Sequence, residues 1–172
     1  QLIEKCCNTK KPIIISTGMA NLQEVKQCVK NIEELKCKNL TILHCVSSYP
    51  AKDEDLNLNV IQTMKSIFKW PIGWSDHSRE KTVILAAVLK WQAETIEMHL
   101  DLDGNGAEFE PGHCWLPNDA SEVINICKKI RDFEGNGVKQ PSKSEINERL
   151  WRTDPRDGLR PFFEVRQSFK GK

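Results

Sequence analysis

Residues 71–100, PIGWSDHSREKTVILAAVLKWQAETIEMHL, contain a short apolar run, a longer helical stretch and a second short apolar run. The pattern predicts a strand over 71–75, a helix over 80–90 and a strand over 94–100. A helix between two strands carries the chain back to the starting end of the sheet. The two strands therefore run in the same direction and lie parallel. This stretch therefore predicts a βαβ unit.

The same alternation of strands and helices occurs before and after this unit. It predicts strands over 12–16 and 40–46, and helices over 21–37, 59–68 and 119–133. Asn21 and Glu24 have the spacing of a capping box at the start of the first of these helices. The fold class is therefore α/β with a parallel sheet, either a barrel or an open doubly wound sheet. The first strand is not followed by a glycine-rich phosphate loop, which favours the barrel.

Length and charge restrict the class of protein. The chain has 172 residues, with 25 Lys and Arg against 24 Asp and Glu. One domain is expected, and the balanced charge does not indicate a nucleic-acid partner. The longest apolar stretch, 83–89, is too short to cross a bilayer, so no membrane partner is expected. The seven cysteines are irregularly spread, which predicts reduced thiols in a cytoplasmic protein.

Polar side chains follow each of the four predicted strands. They are Ser16, Thr17 and Gly18 after the first, Ser47, Ser48 and Tyr49 after the second, Ser75, Asp76 and His77 in the third, and Glu97 and His99 in the fourth. The carboxyl ends of parallel strands meet at one edge of the sheet, where barrel enzymes have their active sites. The sequence therefore predicts a functional site at this edge.

His77 and His99 are the candidate metal ligands at this edge. Neighbouring strands lie about 4.8 Å apart, so two imidazoles at adjacent strand ends can share one divalent metal ion. Each histidine can equally form an ordinary hydrogen bond in a polar crevice, and spacing alone leaves both interpretations open. Glu97 either orients His99 or binds a substrate, because the two residues lie on the same side of their strand.

Hydroxyl groups and the backbone around Gly18 suit a bound phosphate or carboxylate. The alternative is structural, with Ser16 and Ser75 capping the segments that follow them. Tyr49, the only tyrosine, either contacts a substrate or packs against Pro50. His44 is interpreted as a hydrogen-bonded core histidine.

Four of these segments together resemble the sialic acid synthase family. The segments are KPIIISTGMANLQEV, LTILHCVSSYPAKDEDLNL, PIGWSDHS and ETIEMHLDLD, and the resemblance extends from about residue 10 to about residue 147. It implies an eight-stranded βα barrel (TIM barrel) that condenses phosphoenolpyruvate with an open-chain N-acetylated amino sugar. The products would be phosphate and a sialic acid or related nonulosonic acid, used for surface polysaccharides.

The resemblance also implies roles for individual residues. His77 and His99 would bind a divalent metal, most commonly Mn²⁺, with Mg²⁺ or Co²⁺ as alternatives. Asp76 and Glu97 are the candidate catalytic residues, with Asp76 orienting the site. The candidate substrate-binding residues are Ser16, Thr17 and Gly18 for the carboxylate of phosphoenolpyruvate, Ser47 and Ser75 for its phosphate, and Tyr49 for the sugar.

The sequence departs from the family pattern in three respects. Residues 1–134 resemble only the second half of the barrel, so the strands that carry a glutamate and donor-binding lysines in the family are missing. Residues 135–172 are interpreted as a tail in place of an antifreeze-like domain; Arg152, Arg156 and Arg160 either replace that domain's arginine or remain solvated. The loop GNGAEFEPGHCWLP lacks a clear sugar-binding aspartate.

These departures leave several functions open. We expect an isolated chain of this kind to be inactive, and the full-length form to be a homodimer. Two other interpretations are a non-catalytic fragment and another metal-dependent barrel lyase or hydrolase. The second of these requires an additional metal ligand and a general base.

Overall fold

The predicted alternation of strands and helices is present in the structure, a computed structural model that describes residues 1–169. The elements are α1 (Leu2–Asn8), β1 (Ile13–Ser16), α2 (Leu22–Glu34), β2 (Leu40–Cys45), α3 (Asn59–Ile67), β3 (Ile72–Asp76), α4 (Lys81–Leu89), β4 (Ile96–Met98), α5 (Pro117–Arg131) and α6 (Phe163–Ser168). Short 3₁₀ turns occur at Asp53–Asp55, Lys143–Glu145 and Glu148–Trp151.

Local sequence accounts for the start of α2. The Asn21 side chain accepts hydrogen bonds from the backbone N–H groups of Gln23 and Glu24, and the Glu24 carboxylate accepts one from the Asn21 N–H. The predicted capping box is therefore confirmed. Helix α1 was not predicted, because it has only seven residues and buries only Cys7.

The four strands are parallel and lie in the order β1-β2-β3-β4. An open doubly wound sheet reverses its strand order at a switch point, whereas successive strands of a barrel follow chain order. The arrangement is therefore an α/β half-barrel, as predicted. Beyond β4, Leu100 and Trp115 form an isolated parallel bridge.

The two faces of the sheet have different surroundings. Ile42, Ile72 and Trp74 belong to one buried cluster together with residues of α2 to α5. The alternation of side chains along a strand places Ser75 and His77 on the opposite face. Cross-strand register pairs Cys45 with Ser75 and Ser75 with Glu97, so these three residues share that face. The helices therefore cover one face, and Ser75, His77 and Glu97 lie on the other.

All seven cysteines lie within the described residues, and all seven thiols are free. None of the helices in residues 1–169 is long and apolar enough to cross a membrane.

The chain divides into two compact units, Gln1–Arg131 and Asp132–Lys172. The boundary lies three residues before the predicted end of the barrel segment, and residues 170–172 of the predicted tail lie outside the described residues. Within the second unit, the buried carboxylate of Asp154 accepts hydrogen bonds from the side chain and backbone N–H of Arg156 and from the Phe163 N–H. Arg156 also pairs with Glu164.

Acid should disrupt this network in the second unit. The hydrogen bonds from Arg156 hold the pKa of Asp154 well below its ordinary value of 3.8. A lowered folded-state pKa means that the stabilisation is complete above the ordinary value and is lost as the pH falls below it. The amide NMR signals of Arg156 and Phe163 should stay constant from about pH 7 to about pH 4 and shift or broaden below that range.

Two variants provide the comparison. Asp154→Asn should perturb both amide signals already at neutral pH, because the side chain loses its charge and one acceptor oxygen. Asp132→Asn, at an exposed position, removes the same charge and should leave the profile unchanged. An acid transition that persists in Asp154→Asn would contradict the assignment to Asp154.

Candidate functional site

His77 and His99 lie side by side at the carboxyl ends of neighbouring strands. His77 directly follows β3 and His99 directly follows β4, and their ring centroids are 5.1 Å apart. The Nδ1 atom of buried His77 is 2.7 Å from the Val46 carbonyl oxygen, which is an acceptor. Nδ1 therefore donates to this oxygen, which leaves Nε2 as the ring nitrogen that can face a ligand.

The electrostatic surroundings favour neutral His99. Burial, together with the nearby imidazoles of His77 and His113, lowers the pKa of His99 below its ordinary value. A neutral imidazole has a free lone pair, which is the form that binds a metal ion. The adjacent rings of His77 and His99, with centroids 5.1 Å apart, could therefore hold a divalent metal between them.

Tyr49 contacts the histidines from the loop after β2. Its ring centroid lies 4.2 Å from that of His77, 5.7 Å from that of His99 and 5.0 Å from that of His113. Burial raises the pKa of Tyr49, so the phenol keeps its proton and remains a donor. The ring is still 48% exposed, which leaves it accessible to a bound molecule.

The turn after β1 lies next to the loop after β2. Thr17 donates both its backbone N–H and its hydroxyl to the Leu43 carbonyl oxygen, at 3.0 and 2.9 Å. Gly18 has a φ of +46°, and a Cβ at this position would be 2.9 Å from Ser47 Oγ. The positive φ therefore favours glycine here, and a larger residue would also displace the Ser47 hydroxyl. Ser16 is exposed and Ser47 is half-buried at the same edge.

Ser75 and Glu97 form a direct hydrogen bond. The Ser75 hydroxyl, 2% exposed, donates to Glu97 Oε1 at 2.8 Å. A phosphate group accepts hydrogen bonds, so the Ser75 hydroxyl would have to leave Glu97 in order to bind one. The Glu97 carboxylate itself is exposed on the site face.

The Asp76 side chain points to the face of the sheet opposite Ser75 and Glu97. Its fully buried carboxylate lies on the helix-covered face with Trp74. Oδ1 accepts from Trp74 Nε1 at 3.1 Å and from Ser78 Oγ at 2.7 Å. Oδ2 accepts from the Arg79 N–H at 3.1 Å and from Trp115 Nε1 at 3.2 Å. Both oxygens are engaged by neighbouring donors, so the carboxylate links β3 and the turn after it to Trp115.

The structure adds two residues that sequence reasoning did not select, His113 and Cys114. Both are buried, and the His113 ring lies 4.9 Å from the His99 ring. Cys114 Sγ donates to the Glu108 carbonyl oxygen at 3.2 Å, and burial raises the pKa of this thiol. The sequence signal is the HC pair in GHCWLP, two potential metal ligands immediately before an apolar segment.

His44 has a separate role in the core. Its Nε2 lies 2.9 Å from the Leu56 carbonyl oxygen, and its ring packs against Trp74. Burial lowers the pKa of His44, so the neutral ring donates this hydrogen bond. The interpretation of His44 as a core histidine is confirmed.

Comparison with known proteins identifies related enzymes. Residues 1–139 match the NeuB family. The chain is 38% identical to the N,N'-diacetyllegionaminic acid synthase of Campylobacter jejuni, covering 83% of this chain and 43% of that protein. It is 30% identical to the human N-acetylneuraminate-9-phosphate synthase, covering 86% of this chain and 42% of that protein.

A solved structure shows the same fold. The N-acetylneuraminic acid (sialic acid) synthetase of Leptospira borgpetersenii, crystallised in complex with citrate, aligns with a TM-score of 0.71 and 34% identity. The alignment covers 91% of this chain and 54% of that chain. The chain thus spans about two fifths of the length of the two curated relatives.

Removing the charge of Asp76 should destabilise the first unit. In Asp76→Asn, an amide NH₂ replaces one acceptor oxygen, so at least one buried donor, such as the Trp74 or Trp115 indole, loses its partner. An unsatisfied buried donor costs about 1–3 kcal/mol of unfolding free energy. Urea unfolding followed by tryptophan fluorescence measures this loss.

Asp103→Asn is the matched control. It removes the same charge at an exposed position, where the side-chain oxygen accepts from the Asn105 N–H, and an asparagine oxygen can do the same. The unfolding midpoint of this variant should stay close to that of the parent chain. Equal midpoints for the two variants would show that the four bonds to Asp76 do not hold the structure together.

Proposed function

Because the chain belongs to the NeuB family, we propose that it forms the metal-binding half of a nonulosonic acid synthase. The reaction joins phosphoenolpyruvate to an N-acetylated amino sugar and releases phosphate. The two curated relatives described above are named as synthases of legionaminic and neuraminic acid derivatives. The substrates of this chain are part of the proposal.

One observation carries the proposal: the proximity of His77 and His99, 5.1 Å apart between ring centroids, with Tyr49 in contact with both. Condensation requires donor, acceptor and an electrophilic centre at one place, because the reacting atoms must meet at about 3–3.5 Å. The Ser16–Gly18 turn lies at the same edge of the sheet. Such an edge is where barrel enzymes act.

The histidine pair would hold the metal through one ring nitrogen each. The Val46 carbonyl fixes the tautomer of His77, and the lowered pKa of His99 keeps that ring neutral. When bound there, a divalent metal, Mn²⁺ by the family resemblance, supplies Lewis-acid chemistry at the aldehyde oxygen of the sugar. Asp76 supports this arrangement indirectly, by fixing the segment that carries His77.

The other site residues would position the two substrates. The turn with Gly18 and the hydroxyl of Ser47 suit the anionic groups of phosphoenolpyruvate, and the Tyr49 phenol is a donor for the sugar. The C3 atom of phosphoenolpyruvate forms the new bond to the aldehyde carbon, and the aldehyde oxygen becomes a hydroxyl. Water then adds at C2, and phosphate leaves by C–O cleavage. To donate a hydrogen bond to the phosphate, the Ser75 hydroxyl would give up its hydrogen bond to Glu97.

The proposal requires further strands from elsewhere. Within the described residues, β1 and β4 each pair along only one edge, and Ile14 of β1 is 57% exposed. An unpaired strand edge leaves its backbone N–H and C=O groups open to pairing with another strand. We therefore place this chain in a longer polypeptide, or in a complex, whose other half closes the barrel and supplies the remaining donor-binding groups.

Reconstitution tests the proposal. The 172-residue chain alone should release no phosphate from phosphoenolpyruvate. Joined to the first half-barrel of a related synthase, or mixed with it, the chain should release phosphate only when an N-acetylated amino sugar and a divalent metal are present. His77→Ala should lower this rate by about a hundredfold or more, because it removes a metal ligand. Loss of a residue that only hydrogen-bonds to a metal ligand already lowers metal affinity or activity about 10–100-fold.

His44→Gln serves as the control variant. It replaces a histidine of the core, and glutamine can still donate to the Leu56 carbonyl, so most of the activity should remain. Turnover by the chain alone would contradict the need for a second half. Full activity of the reconstituted His77→Ala protein would contradict the assignment of the metal ligand.

A further inference from the structure

His113 is a buried histidine whose ring nitrogens have no hydrogen-bond partner among the described residues. The residue is 1% exposed, and neither Nδ1 nor Nε2 forms a hydrogen bond. Glu108 Oε2 lies 3.4 Å from Nε2 without hydrogen-bond geometry, and the Glu108 side chain is 79% exposed. Buried polar atoms are nearly always paired, so both ring nitrogens are available to a ligand from outside the described residues.

Two further donor atoms converge on the same point. Ligand atoms of His99, His113 and Cys114 all lie within 4.8 Å of one another. Bonds of about 2.0–2.1 Å to nitrogen and about 2.3 Å to sulfur put the donors of a tetrahedral metal site roughly 3.5 Å apart. Small side-chain rotations would bring the ligand atoms from separations of up to 4.8 Å to about 3.5 Å.

The backbone holds this group in place. The Trp115 N–H donates to the His99 carbonyl oxygen at 2.8 Å, and the Asp101 N–H donates to the Trp115 carbonyl oxygen at 2.9 Å. The Trp115 indole also donates to Asp76. The end of the loop that carries His113 and Cys114 is therefore fixed beside His99, which limits the entropy lost on binding a metal.

We propose that His99, His113 and Cys114 form a three-ligand site for a thiolate-binding metal such as Zn²⁺, Fe²⁺ or Co²⁺. Two imidazoles and a thiolate select these softer ions over Mn²⁺, which prefers oxygen ligands. Binding releases the thiol proton that Cys114 now donates to the Glu108 carbonyl. Three protein ligands leave one position open, as in catalytic zinc sites. This proposal rests on the proposed function only in that both sites use His99, so a metal ion occupies one of the two sites at a time.

Cobalt titration of the 172-residue chain tests this site. Added Co²⁺ should bind with one-to-one stoichiometry and give a thiolate-to-cobalt charge-transfer band in the near ultraviolet. Cys114→Ser should abolish this band, and His113→Gln should weaken cobalt binding by about tenfold or more. Both replacements are close in size to the native side chains, and circular dichroism checks that each variant keeps the fold.

Two other thiols provide matched controls. Cys45 Sγ lies 3.9 Å from His77 Nδ1, and Cys127 belongs to α5. Cys45→Ser and Cys127→Ser should each keep the full band. A band that survives Cys114→Ser but disappears in Cys45→Ser would overturn the proposal in favour of a thiolate site at His77.

The remaining outcomes separate this inference from the proposed function. Metal binding without a thiolate band, lost in His77→Ala but unchanged in His113→Gln, would overturn the three-ligand site and leave the synthase proposal intact. Absence of cobalt binding would overturn the three-ligand site as well. Phosphate release by the reconstituted protein is a separate measurement, and its failure would count against the synthase proposal alone.

Discussion

The buried carboxylate of Asp76 connects the parts of the chain that carry the site histidines. Its four hydrogen bonds join β3, the turn that follows it, and the loop residue Trp115. A carboxylate removed from water is costly unless its oxygens are satisfied, and here two indoles, a hydroxyl and a backbone N–H satisfy them. His77 follows Asp76 directly, and His113 lies two residues before Trp115. The positions of both histidines therefore depend on one buried group.

The alternation of side chains along β3 divides the SDH segment between two faces. Ser75 and His77 point to the open face of the sheet, and Asp76 points to the face covered by helices. This division follows from the sequence once 71–75 is recognised as a strand. It places Ser75 and His77 at the site and Asp76 behind them, in the core. The partner of Asp76 does not follow from the sequence, because Trp115 is 39 residues away along the chain.

Strands and helices were predictable because their apolar periodicity is local, and the Asn21 capping box was predictable for the same reason. The pairing of His77 with His99 followed from the parallel order of the strands. His113 and Cys114 were not predicted, because the segment between β4 and α5 has no periodicity that fixes a side-chain direction. Their placement depends on the backbone bonds between Trp115 and the segment after β4. Only the adjacent His and Cys letters indicated a site there.

The two proposed metal sites have His99 in common. Its ring lies between those of His77 and His113, at 5.1 and 4.9 Å. With His77, it offers a metal two nitrogen ligands and several open positions. With His113 and Cys114, it offers two nitrogens and a sulfur, a set that favours a softer ion and leaves fewer open positions. Under the three-ligand proposal, the loop after β4 would therefore determine which metal binds, while the strand ends would determine where it lies.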